Sequence, residues 1–175
     1  MILKNGMNNI ISLPESLSKV NLLFSKNCNI EIKSYQLERE SLDYNAALFN
    51  LDKKQAIFRL AKITPKKIGF FVTLWKRNKR GITVPFDKND DIDLIIIEVR
   101  KLNRIGHFVF SKSLLIEKGI ITSKNEGKRG FRIYPPWESP SSKQAIVSQN
   151  WQSLYFFEHG KMDIDDSVRL KNFLF

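Results

Sequence analysis

A nearly continuous apolar run in the middle of the chain is the feature that most limits the possible folds. Residues Ile92 to Val99 are almost entirely aliphatic. A strand without alternating polar residues is typical of one that is covered on both faces. The run is also too short to cross a bilayer as a helix. It therefore predicts a central strand in a sheet that has other layers packed on both sides.

The other predicted strands and helices are arranged irregularly around this run. Strands are expected at Cys28 to Leu37 on a sheet edge, Tyr44 to Leu51, Gln55 to Thr64, Gly69 to Arg77, Gly106 to Phe110 and Arg129 to Tyr134. Helices are expected over residues 12–27 with Ser12 and Glu15 as a capping box, from Ser111 to Gly119, and from Ser141 or Ser142 to Phe157 with Val147, Trp151 and Leu154 buried.

This order predicts one α+β domain over residues 1–175 with a central mixed or antiparallel sheet flanked by helices. The helix 12–27 and an acidic C-terminal tail, 158–175, are expected to be extensions of that domain. The single cysteine, Cys28, and two histidines exclude an internal disulfide and a four-ligand zinc site. A nucleophilic pair of Cys28 with His107 or His159 remains an alternative. With no apolar leader or span, a cytoplasmic location without membrane contact is expected.

Positive charge is concentrated between Lys53 and Phe86. This segment contains ten Lys or Arg residues and no Asp or Glu, in a chain of net charge +11. Like charges repel each other, so their accumulation favours a negatively charged partner. Strand periodicity and a turn at Pro65 predict a basic band along one hairpin, which suits a phosphate backbone better than one small anion. The alternative is a solvated basic edge that prevents aggregation.

A second basic cluster comprises Lys124, Lys128, Arg129 and Arg132. It precedes Tyr134 and Trp137, and arginine beside aromatic rings is typical of sites that hold phosphates and stack bases. Gly127 and Gly130 are expected to let the backbone approach a ligand. The residues predicted to bind phosphate or nucleic acid are Arg59, Lys62, Lys66, Lys67, Trp75, Lys76, Arg77, Lys128, Arg129 and Arg132.

The two basic regions contain long blocks of recognisable sequence. The blocks are Phe58-Arg59, Lys62 to Gly69, Phe71 to Arg77, Gly106 to Phe110, Glu117 to Ile120, Gly127 to Arg129, Arg132 to Pro135, Trp137, Gln144-Ala145 and Gln149 to Gln152. Over about residues 44–157 they resemble the MepB-like family, a bacterial family named for a protein encoded beside a multidrug efflux pump. The chain departs from the family pattern at Phe70, where a polar residue is more usual.

The resemblance implies a restriction-endonuclease-like core and binding of nucleic acid, and it transfers no catalytic residue. A metal-dependent nuclease of that fold needs an acidic residue near an acid-x-Lys pair, with Mg²⁺ as its only cofactor. The candidates are Glu31-Ile32-Lys33, Asp52-Lys53-Lys54, and Asp93 with Glu98-Val99-Arg100. None has the complete pattern, so no metal site or cofactor is predicted. The loop from Asp87 to Asp93 is an alternative cation site, or simply a turn.

Two functions follow from the sequence. The first is binding of nucleic acid, with DNA favoured, through the basic hairpin and the segment 128–132, without nuclease activity. The second is an enzyme that binds a small phosphorylated or nucleoside-like compound, in which Lys62, Lys66, Arg129 and Arg132 converge on one anion with Gln149, Gln152 or His107 as polar partners. A concave pocket lined by these groups would favour the second function.

Overall fold

The computed structural model describes residues 12–38 and 44–174. The helices in this part of the chain are α1 (Glu15–Cys28), α2 (Lys112–Glu117), α3 (Lys143–Ser153) and α4 (Ile164–Lys171). The strands are β1 (Ile32–Leu37), β2 (Ala47–Leu51), β3 (Lys54–Leu60), β4 (Lys62–Thr64), β5 (Lys67–Thr73), β6 (Lys76–Arg77), β7 (Thr83–Val84), β8 (Leu94–Lys101), β9 (Arg104–Ser111), β10 (Gly130–Ile133) and β11 (Phe156–Glu158).

A six-stranded mixed sheet forms the centre of the fold, in the order β1-β2-β3-β8-β9-β11. All neighbouring pairs are antiparallel except β3 and β8, which are parallel. Every side chain from Leu94 to Val99 is buried, so the prediction of a central strand covered on both faces is confirmed. The predicted α+β class with a mixed central sheet and helices is confirmed as well.

The connection between the parallel strands β3 and β8 builds a second sheet. Parallel neighbours require a crossover connection, and here residues 61–93 supply it with strands instead of a helix. The chain leaves the large sheet at Ala61, whose N–H donates to the Glu98 carbonyl at 2.9 Å. Strands β4 and β5 then form a three-stranded sheet with β10, and β6 pairs with β7. The predicted strand from Gln55 to Thr64 is therefore two strands in different sheets.

Each face of the large sheet has its own hydrophobic layer. On one face, α1 and α4 bury Phe24 and Leu170. On the other, the three-stranded sheet buries Val72 and Ile133, and α3 packs there through Trp151. Two separate layers explain why β8 is apolar on both sides. In the described ranges, no helix is long and apolar enough to span a membrane.

Three predicted helices differ from the structure in their ends or faces. Helix α1 begins at Glu15 after Pro14 without a side-chain cap, so the capping box at Ser12 was wrong. Helix α2 is capped by Ser111 and α3 by Ser142, as predicted. Helix α3 ends at Ser153, because the chain then joins the large sheet as β11. The side chains of Val147 and Leu154 are 58% and 62% exposed, which corrects the predicted buried stripe.

The C-terminal acidic residues belong to folded elements. Asp163 caps α4 and forms a capping box with Asp166. Glu158 accepts two hydrogen bonds of 2.8 Å from Arg104. These carboxylates stabilise a helix end and a strand pair, so this segment is more than an acidic tail.

One buried carboxylate, Glu98, lies on β8 below α1. Its side chain is 0% exposed, its Oε2 lies 2.9 Å from Nε2 of His107, and Oε1 accepts from Nε of Arg100. Burial raises the pKa of Glu98, but hydrogen bonds and charge attraction from His107 and Arg100 outweigh that effect, and the pKa lies below its ordinary value. Since the folded state binds this proton more weakly than the unfolded chain does, ionised Glu98 stabilises the fold.

Acid should therefore destabilise the fold through Glu98. Its contribution is fully present above the ordinary carboxyl pKa of 4.5 and is lost as the pH falls through the lower pKa of the folded state. The substitution Glu98→Gln should lower the free energy of unfolding at neutral pH by about 1–3 kcal/mol. It should also flatten the acid dependence, as measured by urea unfolding between about pH 3 and pH 7. The exposed Glu31→Gln variant is the control, and an acid dependence unchanged by Glu98→Gln would contradict the assignment.

Candidate phosphate-binding site

Two of the predicted phosphate-binding residues are neutralised inside the protein. Arg59 is 1% exposed, and its guanidinium lies 2.9 Å from a Glu38 carboxylate oxygen and 2.8 Å from the Phe58 carbonyl. It must be withdrawn from the predicted set, because it faces the protein interior. Lys76 is half-buried, with Nζ 2.5 Å from carboxylate oxygens of both Asp87 and Asp90.

The loop from Asp87 to Asp93, considered above as a cation site, binds the ammonium group of Lys76 through Asp87 and Asp90. Burial lowers the pKa of Lys76, but hydrogen bonds and charge attraction from Asp87 and Asp90 outweigh it, and the pKa lies above its ordinary value. The hydrogen bond from Lys76 likewise holds the pKa of Asp87 below its usual range. Because these two carboxylates offset the charge of Lys76, this residue is also removed from the residues predicted to bind phosphate.

The remaining residues of the acid-free segment do not form one band. Lys62 lies 4.6 Å from the centre of the Tyr44 ring. The Arg77 guanidinium lies 5.7 Å from the centre of the Trp75 ring and donates to the Gly81 carbonyl. Trp75, Lys76 and Arg77 line one concavity, whereas Lys66 and Lys67 lie at the β4–β5 turn beside another. Strand β5 separates the two groups, because Lys66 and Lys67 lie at its start and Trp75, Lys76 and Arg77 follow its end.

A different concavity collects cations from three segments of the chain. It has a volume of about 500 Å³ and is lined by Lys67 from β5, Lys118 after α2, Lys128 before β10 and Arg132 within β10. We call it the basic pocket. Among its described lining residues there is no Asp, Glu, His or Cys. The pocket therefore brings together three of the predicted site residues and adds Lys118.

Backbone oxygens fix Arg132 at the edge of the basic pocket. One guanidinium nitrogen lies 3.3–3.5 Å from the carbonyl oxygens of Lys67, Ile68 and Gly69, and the other donates to the Thr64 hydroxyl. Neutral oxygens hold the group in place without cancelling its charge. In residues 12–38 and 44–174, no carboxylate lies within salt-bridge distance of Lys67, Lys128 or Arg132. Lys118 differs, since Nζ lies 2.8 Å from Glu117.

Arg129 lies outside the basic pocket. Its Nε donates to the Thr83 carbonyl at 3.0 Å, and another nitrogen lies 3.1 Å from Glu126. The predicted convergence of Lys62, Lys66, Arg129 and Arg132 on one anion therefore does not occur, because only Arg132 of these lines the basic pocket.

Helix α3 forms one wall of the basic pocket. Its N-terminal residues Ser142, Gln144 and Ala145 line the pocket, and its first turn contains no acidic residue. Ser142 Oγ accepts from the Ala145 N–H at 3.3 Å. The N–H groups of the first helical turn have no carbonyl acceptor within the helix, so this wall carries the positive end of the helix dipole.

Gln152 attaches α3 to the edge of the three-stranded sheet. Its buried side-chain amide accepts from the Tyr134 N–H at 2.8 Å and donates to the Arg132 carbonyl at 3.0 Å. Gln149 donates to the carbonyls of Pro135 and Glu138 at 3.0 and 2.7 Å. Both glutamines, expected as polar partners of a ligand, thus have structural contacts that hold the pocket wall.

The two glycines of the second basic cluster are required by protein packing. A Cβ atom at Gly130 would lie 2.7 Å from the Phe71 ring, and one at Gly127 would lie 2.4 Å from the Ile120 carbonyl oxygen. The expectation that they serve ligand approach is not needed to explain them. Trp137 packs against Phe156 at a ring distance of 5.1 Å, and Trp151 is the tryptophan that lines the basic pocket.

Comparisons with known proteins identify the family. A family model described as MepB-like matches residues 38–158. The chain belongs to the MepB-like family. The crystal structure of MepB is 34% identical, with a TM-score of 0.73 over 86% of this chain and 100% of the other. No curated protein matches the chain. The predicted resemblance is confirmed, and every residue that lines the basic pocket of this MepB-like chain lies inside the matched range.

The nuclease candidates of the MepB-like chain do not assemble into a metal site. Glu98 is held by His107 and Arg100, and Asp93 Oδ2 accepts from the Gln55 N–H at 2.9 Å. Lys33 Nζ lies 3.3 Å from Asp52. In the described ranges, no three His, Cys, Asp or Glu side chains are grouped so that they could hold a metal ion.

Lys118, Ser142 and Trp151 line the pocket of the MepB-like protein but were not among the binding residues predicted from the sequence. Lys118 and Trp151 belong to blocks that resemble the family, and Ser142 was predicted as a helix cap. Nothing in the sequence indicated that these segments meet at one cavity, because their proximity depends on the pairing of β5 with β10.

Removal of the Gln152 amide should loosen the pocket wall of this MepB-like protein. The substitution Gln152→Ala leaves the Tyr134 N–H and the Arg132 carbonyl without their partner, and should lower the free energy of unfolding by about 2 kcal/mol. Hydrogen exchange at the Tyr134 amide should accelerate relative to the wild type. The exposed Asn150→Ala variant on the same helix is the control, and unchanged exchange at Tyr134 would contradict the role of Gln152.

Proposed function

We propose that this MepB-like protein binds nucleic acid, with its phosphates held at the basic pocket. The observation that carries the proposal is the convergence of Lys67, Lys128 and Arg132 on one cavity without an acidic lining residue. Lysine and arginine bind phosphates by charge and hydrogen bonds. Placing three like charges together costs electrostatic energy, and a bound polyanion would offset that cost.

The distribution of the other cations supports a polymeric ligand. Lys66 and Lys67 lie together at the β4–β5 turn, and Lys67 borders both the basic pocket and the neighbouring concavity. The cationic surface thus continues beyond a single cavity. A net charge of +11 also accelerates the encounter with a polyanion at low salt.

The proposal includes a restriction-endonuclease-like core but no metal-dependent cleavage. A mixed sheet with layers on both faces is compatible with such a core. Asp93 and Glu98, two of the carboxylates expected for Mg²⁺, are occupied by internal hydrogen bonds. Binding alone therefore fits the residues better than cleavage does.

A second candidate function is binding of a small phosphorylated or nucleoside-like compound. The observation in its favour is the concave shape of the basic pocket, whose volume of about 500 Å³ lies in the usual range for small-molecule sites. Its described lining residues include no His, Cys, Asp or Glu, the residue types that most often act as general acid or base. The lining therefore supports binding of such a compound and assigns no catalytic residue to an enzyme.

Binding of DNA should decrease steeply with salt and should depend on the basic pocket. Fluorescence anisotropy with single-stranded and duplex oligonucleotides should give a log–log salt slope of about −0.7 to −0.9 for each neutralised phosphate. The double variant Lys67→Gln/Lys128→Gln should bind about tenfold more weakly. Its log–log salt slope should be shallower, by the amount expected for the loss of about one to two phosphate contacts.

The matched control is Lys26→Gln/Lys171→Gln, which removes the same charge from exposed residues on α1 and α4, on the opposite face of the large sheet. It should retain nearly wild-type affinity. A salt slope near zero, or equal losses in both double variants, would refute binding at the basic pocket.

A further inference from the structure

The N-terminus of a helix forms part of the lining of the basic pocket. Residues Ser142, Gln144 and Ala145 of α3 line the pocket, and α3 extends over 11 residues. The free N–H groups and the dipole of such a terminus favour a negatively charged oxygen. With no acidic residue in its first turn, α3 has no carboxylate of its own there to occupy these donors.

The cationic groups of the basic pocket differ in how they are held. The guanidinium of Arg132 is fixed by the carbonyls of Lys67, Ile68 and Gly69. Lys67 and Lys128 have exposed side chains. The arrangement combines one fixed positive charge, two adjustable ones and a helix terminus, which together match a group with several charged oxygens.

A phosphomonoester meets this requirement better than an internal phosphodiester does. Near neutral pH a monoester carries about −1.5 to −2 charges on three terminal oxygens, with a second pKa of about 6. A phosphodiester carries one negative charge and has two free oxygens, and its strand must leave the cavity in both directions. Three cations and the N–H groups of the α3 N-terminus therefore match the charge and the three oxygens of a monoester better than those of a diester.

Trp151 provides an apolar surface in the same pocket. Its ring packs against Phe110 and Tyr155 at distances of 5.4 and 6.5 Å, and Lys118 Nζ lies 5.7 Å from its centre. It is half-buried and lines the cavity. Tryptophan faces stack on nucleic-acid bases regardless of base identity.

We infer that the basic pocket holds a terminal phosphomonoester of a nucleotide or of a nucleic-acid strand, with the adjoining base near Trp151. This inference rests on the proposed function and narrows it, because it assigns the pocket to a strand end or free nucleotide instead of the interior of a strand. Lys67, Lys128 and Arg132 bind the phosphate together with the N-terminus of α3.

Isothermal titration calorimetry of the full chain with 5′-AMP and adenosine tests the inference. AMP should bind at least about tenfold more tightly than adenosine, since a difference of 1.4 kcal/mol corresponds to that ratio. Acidification from about pH 7.5 to pH 5.5 should weaken AMP binding, because the monoester loses its second charge. Lys128→Gln should reduce AMP affinity about tenfold, and Lys26→Gln should leave it unchanged.

Oligonucleotides of one sequence with a 5′-phosphate, a 3′-phosphate or two hydroxyl ends distinguish the sources of the monoester. Tighter binding of one phosphorylated form supports a strand end, whereas a preference for AMP alone supports a free nucleotide. Equal affinities for AMP and adenosine, together with equal affinities for all three oligonucleotides, would overturn the inference. Salt-dependent DNA binding that is lost in Lys67→Gln/Lys128→Gln would still support the proposed function, so the two ideas fail separately.

Discussion

The parallel pairing of β3 with β8 is the constraint on which the rest of this structure depends. Two parallel neighbours cannot be joined by a tight turn, so the chain must leave the large sheet after Leu60 and return at Leu94. The excursion builds β4 and β5, and β5 provides the edge on which β10 pairs. Helix α3 then attaches to β10 through Gln152. The basic pocket lies where the strand, the helix and the loop before β10 meet.

A count of charged residues along one segment of the sequence does not predict which of them are neutralised in the folded protein. The segment from Lys53 to Phe86 has no acidic residue. Glu38 nevertheless pairs with Arg59, and Asp87 pairs with Lys76, and both acidic residues lie outside that segment. Acidic partners are selected by the fold rather than by sequence proximity. Lys67, Lys128 and Arg132 line the basic pocket without such partners in the described chain, and they come from two regions that are distant in sequence and adjacent in space.

The sequence predicted the elements whose burial follows a simple period. The central strand β8 and the helix predicted over residues 12–27 are confirmed, because both patterns reflect transfer of apolar side chains from water. The break at Ala61 could not be predicted, since the residues around it have the same strand pattern on both sides. The sequence also did not indicate that Gln152 is buried and Leu154 exposed. Gln152 is held in the interior by hydrogen bonds to a strand edge rather than by hydrophobicity. Lys67, Lys128 and Arg132 were each predicted from the sequence, but their meeting in one pocket depends on long-range strand pairing.

The contact made by Gln152 has a further consequence for the outer edge of β10. An open strand edge offers its backbone N–H and C=O groups to any extended peptide, which can bind by β-augmentation. The side-chain amide of Gln152 imitates one peptide unit and already occupies the Tyr134 N–H and the Arg132 carbonyl. This part of the edge is therefore closed to an incoming strand.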